Sequence, residues 1–132
     1  MPHIIVEHSI ESIDNKSSYY LIFSEIRNVF IELKDMASFD ISQCKFRSIF
    51  FDDFLIGNSS LLQNKDSKHL FLHITVKIME GRTLNARNLL ADKIMEKIEG
   101  FFIANKITRH IELTVDIVEM NRDNYRKKLF AV

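Results

Sequence analysis

Cysteine occurs once in this 132-residue chain, and Cys44 alone cannot build a disulfide framework, which points to a reducing compartment. Proline also occurs once and glycine three times; beside 46% hydrophobic and 27% charged residues, this scarcity excludes a collagen-like or disordered chain. An excess of either charge is missing too. Eighteen Lys and Arg against eighteen Asp and Glu leave a formal net charge of zero, so nothing in bulk electrostatics draws the chain to nucleic acid or an anionic membrane. No apolar run approaches the roughly 18 residues that a membrane helix needs. The start, Met1-Pro2-His3-Ile4-Ile5-Val6-Glu7, has no basic flank and only three aliphatic residues in succession, so it does not read as a signal peptide. A Gly-rich phosphate loop, a G-x-S-x-G elbow and a CxxC pair are all lacking. The expectation is one soluble, cytoplasmic domain over residues 1–132, long enough to bury about two-thirds of its unfolded surface.

What is present is periodicity. Ile4 to His8 is short, apolar and β-branched, and reads as a strand. From Ser18 to Lys34, Tyr19, Ile22, Phe23, Ile26, Val29, Phe30 and Leu33 recur at steps of three and four, one stripe of a helix with Ser17 or Ser18 as its cap. Lys45 to Phe51 returns to strand character, and Gly57 to Lys68 has loop chemistry. Leu70, Leu72, Ile74, Val76 and Ile78 alternate with Phe71, His73, Thr75, Lys77 and Met79, which predicts a strand. Gly81 permits a tight turn into a helix capped by Thr83 or Asn85, with a stripe of Leu84, Ala91, Ile94, Met95, Ile98, Phe101 and Phe102. Ile111, Leu113, Val115 and Ile117 alternate with polar residues as a fourth strand. The order β-α-β-β-α-β makes two halves, about 2–56 and 68–120, followed by a tail. It predicts an α+β fold, a four-stranded mixed sheet with two helices on one face. Ile, Leu and Phe expected on the other face predict further cover there, most simply by copies of the same chain.

Most candidate chemistry reads as structural. His69 and His73, four apart on a strand, lie over about 12 Å from each other by strand rise, too far to share a zinc ion, so no metal site is expected. Cys44 reads as a small buried hydrophobe, Asp52-Asp53 as a solvated strand end, and Arg122, Arg126, Lys127 and Lys128 as a solvated tail rather than an anion site. Pro2 is different. Removal of Met1 exposes a secondary amine on a rigid ring, and an α-amino group has an ordinary pKa near 7.7–8.0. Neighbouring cations and partial burial lower it, which makes a general base near neutral pH.

Pro2-His3-Ile4-Ile5-Val6-Glu7, the β-α-β repeat and Leu72-His73-Ile74-Thr75-Val76-Lys77-Ile78-Met79-Glu80-Gly81-Arg82-Thr83 together resemble the 5-carboxymethyl-2-hydroxymuconate isomerase family of the tautomerase superfamily. The resemblance runs over nearly the whole chain, strongest at its start and around His73 to Arg82. It implies a trimeric barrel assembly without a cofactor, acting in homoprotocatechuate degradation. The implied reaction ketonises a dienol dicarboxylic acid, with Pro2 moving a proton from one position of the conjugated system to another. It implies two cations that hold carboxylates and the enolate oxygen. One maps onto Arg82; the other falls at Lys45, where lysine keeps the charge but lacks the bidentate fork, and Arg47 on the same strand face is the alternative. If the first strand pairs antiparallel with the third and parallel with the second, Pro2, Lys45 and Arg82 gather at one end of the sheet. Because Arg82 follows Gly81 in a turn, its substitution is expected to leave stability nearly untouched. The competing readings are a tautomerase-fold enzyme for another 2-oxo or enol acid, and a non-catalytic trimeric ligand-binding protein.

Overall fold

The computed structural model describes residues 2–11, 19–57, 69–107 and 109–131. The expected caps Ser17 and Ser18, and most of the loop that follows Gly57, lie outside them. Alternation of apolar residues produces β1 (His3–His8), β2 (Lys45–Phe50), β3 (His69–Met79) and β4 (His110–Met120); the three-and-four spacing produces α1 (Tyr20–Ala37) and α2 (Leu84–Ala104). The sheet order is β2-β1-β3-β4. β1 runs parallel to β2 and antiparallel to β3, and β3 runs parallel to β4. The expected β-α-β-β-α-β order and mixed sheet are both found.

The core lies between the helices and one sheet face. Ile4 and Val6 of β1, with Leu72, Ile74 and Val76 of β3, are fully enclosed, as are Ile26, Val29 and Phe30 of α1 and Leu90, Ile94 and Ile98 of α2. Each such aliphatic side chain contributes about 1.5–3 kcal/mol by leaving water. The α1 stripe follows the sequence expectation. The α2 stripe is rotated: Leu84, expected inside, is 59% exposed, and Leu90 takes the central place. Leu84 is the first residue of the helix, beside the Thr83 cap. Thr83, not Asn85, is that cap, its Oγ1 accepting from the Ala86 amide at 3.1 Å.

The second sheet face departs from expectation. Strand alternation places His3, Ile5 and Glu7 there, with Lys45, Arg47 and Ile49, then Phe71, His73, Thr75 and Lys77, and beyond them Glu112, Thr114 and Asp116. Every leucine of β3 and β4 points to the helices instead. Met79, Val118 and Met120 join it at one end, so the face mixes charged and polar residues with Ile5, Ile49, Phe71 and these three, and the departure is the missing leucine.

Two buried polar contacts close the end of β1. His8, 3% exposed, stacks on Tyr19 with ring centroids 3.7 Å apart. Its Nδ1–H donates to the Ile10 carbonyl at 2.8 Å, and the Tyr19 hydroxyl donates to the same oxygen. Burial lowers the His8 pKa below the ordinary 6.5, so the folded protein holds this ring neutral. Unfolding therefore takes up a proton, and the contribution is fully present above about pH 6.5 and lost as pH falls toward the folded value. We expect the urea midpoint to fall between pH 7.5 and pH 5.5, and to fall less in His8→Phe. Midpoints independent of pH in the parent would contradict this.

Candidate active site

The two registers fix one end of the sheet. His3 lies opposite Lys45 on one side and Lys77 on the other. Pro2, just before β1, is buried, and its carbonyl accepts from the Lys45 amide at 3.0 Å. Continuing the β1–β3 register by one residue sets Pro2 against Ile78, four residues before Arg82. Pro2 shares the alternation of Ile4 and Val6 toward the helices. Lys45 and Arg47 share that of His3 toward the open face.

Lys45 and Arg47 already have partners. Lys45 Nζ donates to the Gln43 carbonyl at 3.1 Å. Arg47 Nη1 lies 3.2 Å from His3 Nδ1, and His3 Nε2 lies 2.9 Å from the Tyr125 hydroxyl. A guanidinium can only donate, so His3 Nδ1 is the acceptor and Nε2 carries the proton. Burial first, then the Arg47 and Lys45 charges, lower the His3 pKa, which keeps the ring in this neutral form. Sequence reasoning missed this bridge because Tyr125 is 122 residues from His3.

Arg82 stands over the end of α1. Its Nη1 donates to the Met79 carbonyl at 3.3 Å and its Nη2 to the Ser38 carbonyl at 3.2 Å. The guanidinium carbon lies 4.3 Å from the centre of the Phe39 ring. Ser38 closes α1 in the left-handed region at φ 56°, and buried Phe39 packs edge-on against Phe30 at 4.7 Å. Arg82 opens on a cavity of about 410 Å³ whose walls include Ser38, Glu80, Gly81, Thr83 and Arg122. Pro2, Lys45 and Arg47 do not form its walls. Burial and then the Arg122 charge lower the Arg82 pKa from its ordinary value.

The remaining candidates take structural places. Cys44 packs against the core, and burial pushes its thiol up to about 11, leaving it un-ionised and unreactive near neutral pH. His73 Nδ1 meets the Thr114 hydroxyl at 2.5 Å, and His69 lies 3.8 Å from Glu112. Among the described residues no three His, Cys, Asp or Glu side chains are grouped to hold a metal ion, and no helix is long and apolar enough to cross a membrane.

The family model of 5-carboxymethyl-2-hydroxymuconate isomerase matches residues 2–129. The chain belongs to that family. Solved structures agree in fold. A 5-carboxymethyl-2-hydroxymuconate isomerase from Deinococcus radiodurans R1 is similar with a TM-score of 0.77 at 18% identity, over 96% of this chain and 88% of that one. A 5-carboxymethyl-2-hydroxymuconate delta-isomerase gives a TM-score of 0.77 at 13% identity, over 98% and 89%. A fused 4-OT protein, solved as an asymmetric trimer, gives 0.60 at 12% identity, over 95% and 91%. No curated protein matches in sequence. Membership in the 5-carboxymethyl-2-hydroxymuconate isomerase family makes this a tautomerase-superfamily isomerase.

Proposed function

We propose that this isomerase ketonises a dienol dicarboxylic acid in a 1,3-allylic proton shift, with the amine of Pro2 as its general base. The observation that carries the reading is the family match, which begins at Pro2 and continues through the Arg82 turn to residue 129. In this mechanism the Pro2 nitrogen takes a proton from the enol and returns it at carbon, and no cofactor takes part. Arg82 holds a carboxylate and the negative charge that grows on oxygen during transfer, the kind of charge that fixed donors stabilise best. Lys45 lies on the strand next to Pro2 with its side chain toward the other sheet face, so it acts on the amine as a nearby positive charge and not as a direct partner.

The test is ultraviolet-monitored turnover of a panel of enol acids by protein whose intact mass shows Met1 removed. Ketonisation of a diacid supports the reading. One observation favours a related substrate instead: with Arg47 engaged by His3 and lysine at position 45, a second bidentate carboxylate fork is lacking on this strand. Preference for a monocarboxylic 2-oxo or enol acid in the same panel would select that alternative.

We further propose a homotrimer. β2 is an edge strand in this sheet, and Ile49, Phe50 and Leu55 on or after it are 46%, 41% and 54% exposed. An open edge with apolar residues is a surface that pairs with another chain, and the similar fused 4-OT protein was solved as a trimer. Sedimentation at micromolar concentration should give about three times the 15.5 kDa chain mass; a single monomeric species would remove the proposal.

A further inference from the structure

We infer that Arg122 is a second anion-binding arginine of the Arg82 cavity, and that the two guanidiniums together clamp one carboxylate of the acid substrate. The acid itself rests on the isomerase reading above; the site does not. β4 carries Arg122 there. Met79 lies opposite Met120, and the same offset of 41 residues, continued past the strand ends, sets Arg122 beside Gly81. The Glu80 amide donates to the Met120 carbonyl at 3.1 Å and keeps the two chain segments together beyond the sheet.

Gly81 makes the turn that brings the arginine alongside. Its φ of +118° disfavours any side chain, and a Cβ built there would come 3.7 Å from Arg122 Nη2. Arg122 thus lies in van der Waals range of the Gly81 turn. Glu80 holds it twice, the carbonyl accepting from Arg122 Nη2 at 3.0 Å and Oε1 accepting from the Arg122 amide at 3.2 Å. One arm of a five-donor fork is thus anchored while the guanidinium faces the cavity, beside an Arg82 fixed by Met79, Ser38 and Phe39. Two like charges on one cavity wall disfavour each other, and a carboxylate between them relieves the repulsion through charge-assisted hydrogen bonds. The Glu80 carboxylate is the opposing charge in the lining, and the cavity of about 410 Å³ lies within the range of small-ligand sites.

The test uses adipate, a stable six-carbon diacid, titrated into isotopically labelled protein and followed by amide and arginine Nε–H NMR signals. Shifts are expected at Gly81, Arg82 and Arg122. Arg122→Gln should raise the dissociation constant on the order of ten- to a hundredfold. Arg122→Lys should recover part of the loss, since charge returns without the fork, and Lys128→Gln, which removes the same charge from the tail, should change nothing. Equal adipate affinity in Arg122→Gln and the parent, or the absence of any shift at Gly81 in the parent, overturns the inference. Adipate binding that depends on Arg122, in a protein that turns over no enol acid, would sustain this site while removing the isomerase reading.

Discussion

Protein that retains Met1 should isomerise its enol acid at least about a hundredfold more slowly than the processed form, since a positioned general base contributes roughly 10²–10⁴ in rate. The two proteins have the same side chains from residue 2 onward. They differ in whether the nitrogen of Pro2 is a basic amine or an amide whose lone pair is delocalised into the carbonyl. In the processed form the acidic limb of the pH–rate profile should report that amine, with an apparent pKa below the ordinary 7.7–8.0. One feature pushes in that direction: Pro2 is buried, which disfavours the protonated amine. An electrophilic substrate analogue should inactivate the enzyme, with the adduct on Pro2 by peptide mapping. Equal turnover by the two forms would remove Pro2 as the base.

Arg82→Ala should lower kcat/KM by about thirty- to a thousandfold, the effect of losing about 2–4 kcal/mol of stabilisation for a developing negative charge. The structure changes what is expected of stability. Read from the sequence, Arg82 was a turn residue whose loss would shift stability by about 0.5 kcal/mol or less. In the fold it joins the end of β3 to the end of α1 through the Met79 and Ser38 carbonyls and the Phe39 ring. Losing two backbone contacts and one cation–π contact costs on the order of 1–3 kcal/mol. A lower melting temperature should therefore accompany the loss of activity, and Arg82→Lys should separate the two by keeping charge while giving up the fork. Unchanged kcat/KM in Arg82→Ala would refute its role.

The strands and α1 were legible because their burial is one-sided: Leu70 to Ile78 alternate without a break, and Ile22 to Leu33 keep a single stripe. The rotation of α2 was not, because apolar residues surround that helix and Leu84 fits the stripe as well as Leu90 does. The nature of the open sheet face was hidden for a related reason. Which residues share a face across four strands depends on registers that no single strand displays. The candidate site was legible where one segment carries it, as in Gly81-Arg82-Thr83, which lines the cavity. Arg122 was read as tail because it lies beyond the second half, which was expected to end near residue 120. Only the β3–β4 register, with Met79 opposite Met120, brings residue 122 level with Gly81. His3 and Tyr125 meet from opposite ends of the chain, with no signal in either neighbourhood.

β1 is an inner strand, and its two partners are made after it: residues 45–50 on one side and 72–77 on the other. On the ribosome, at about 5–20 residues per second, the first residues therefore stay unpaired for several seconds. Once β3 has emerged and docked, Pro2 is enclosed. For a terminal amine that must be uncovered by an aminopeptidase, this order of synthesis sets a deadline. If Pro2 is the base, as proposed, methionine excision belongs to the nascent chain, before the sheet closes around its own first strand, and maturation is a race with folding rather than a step that follows it.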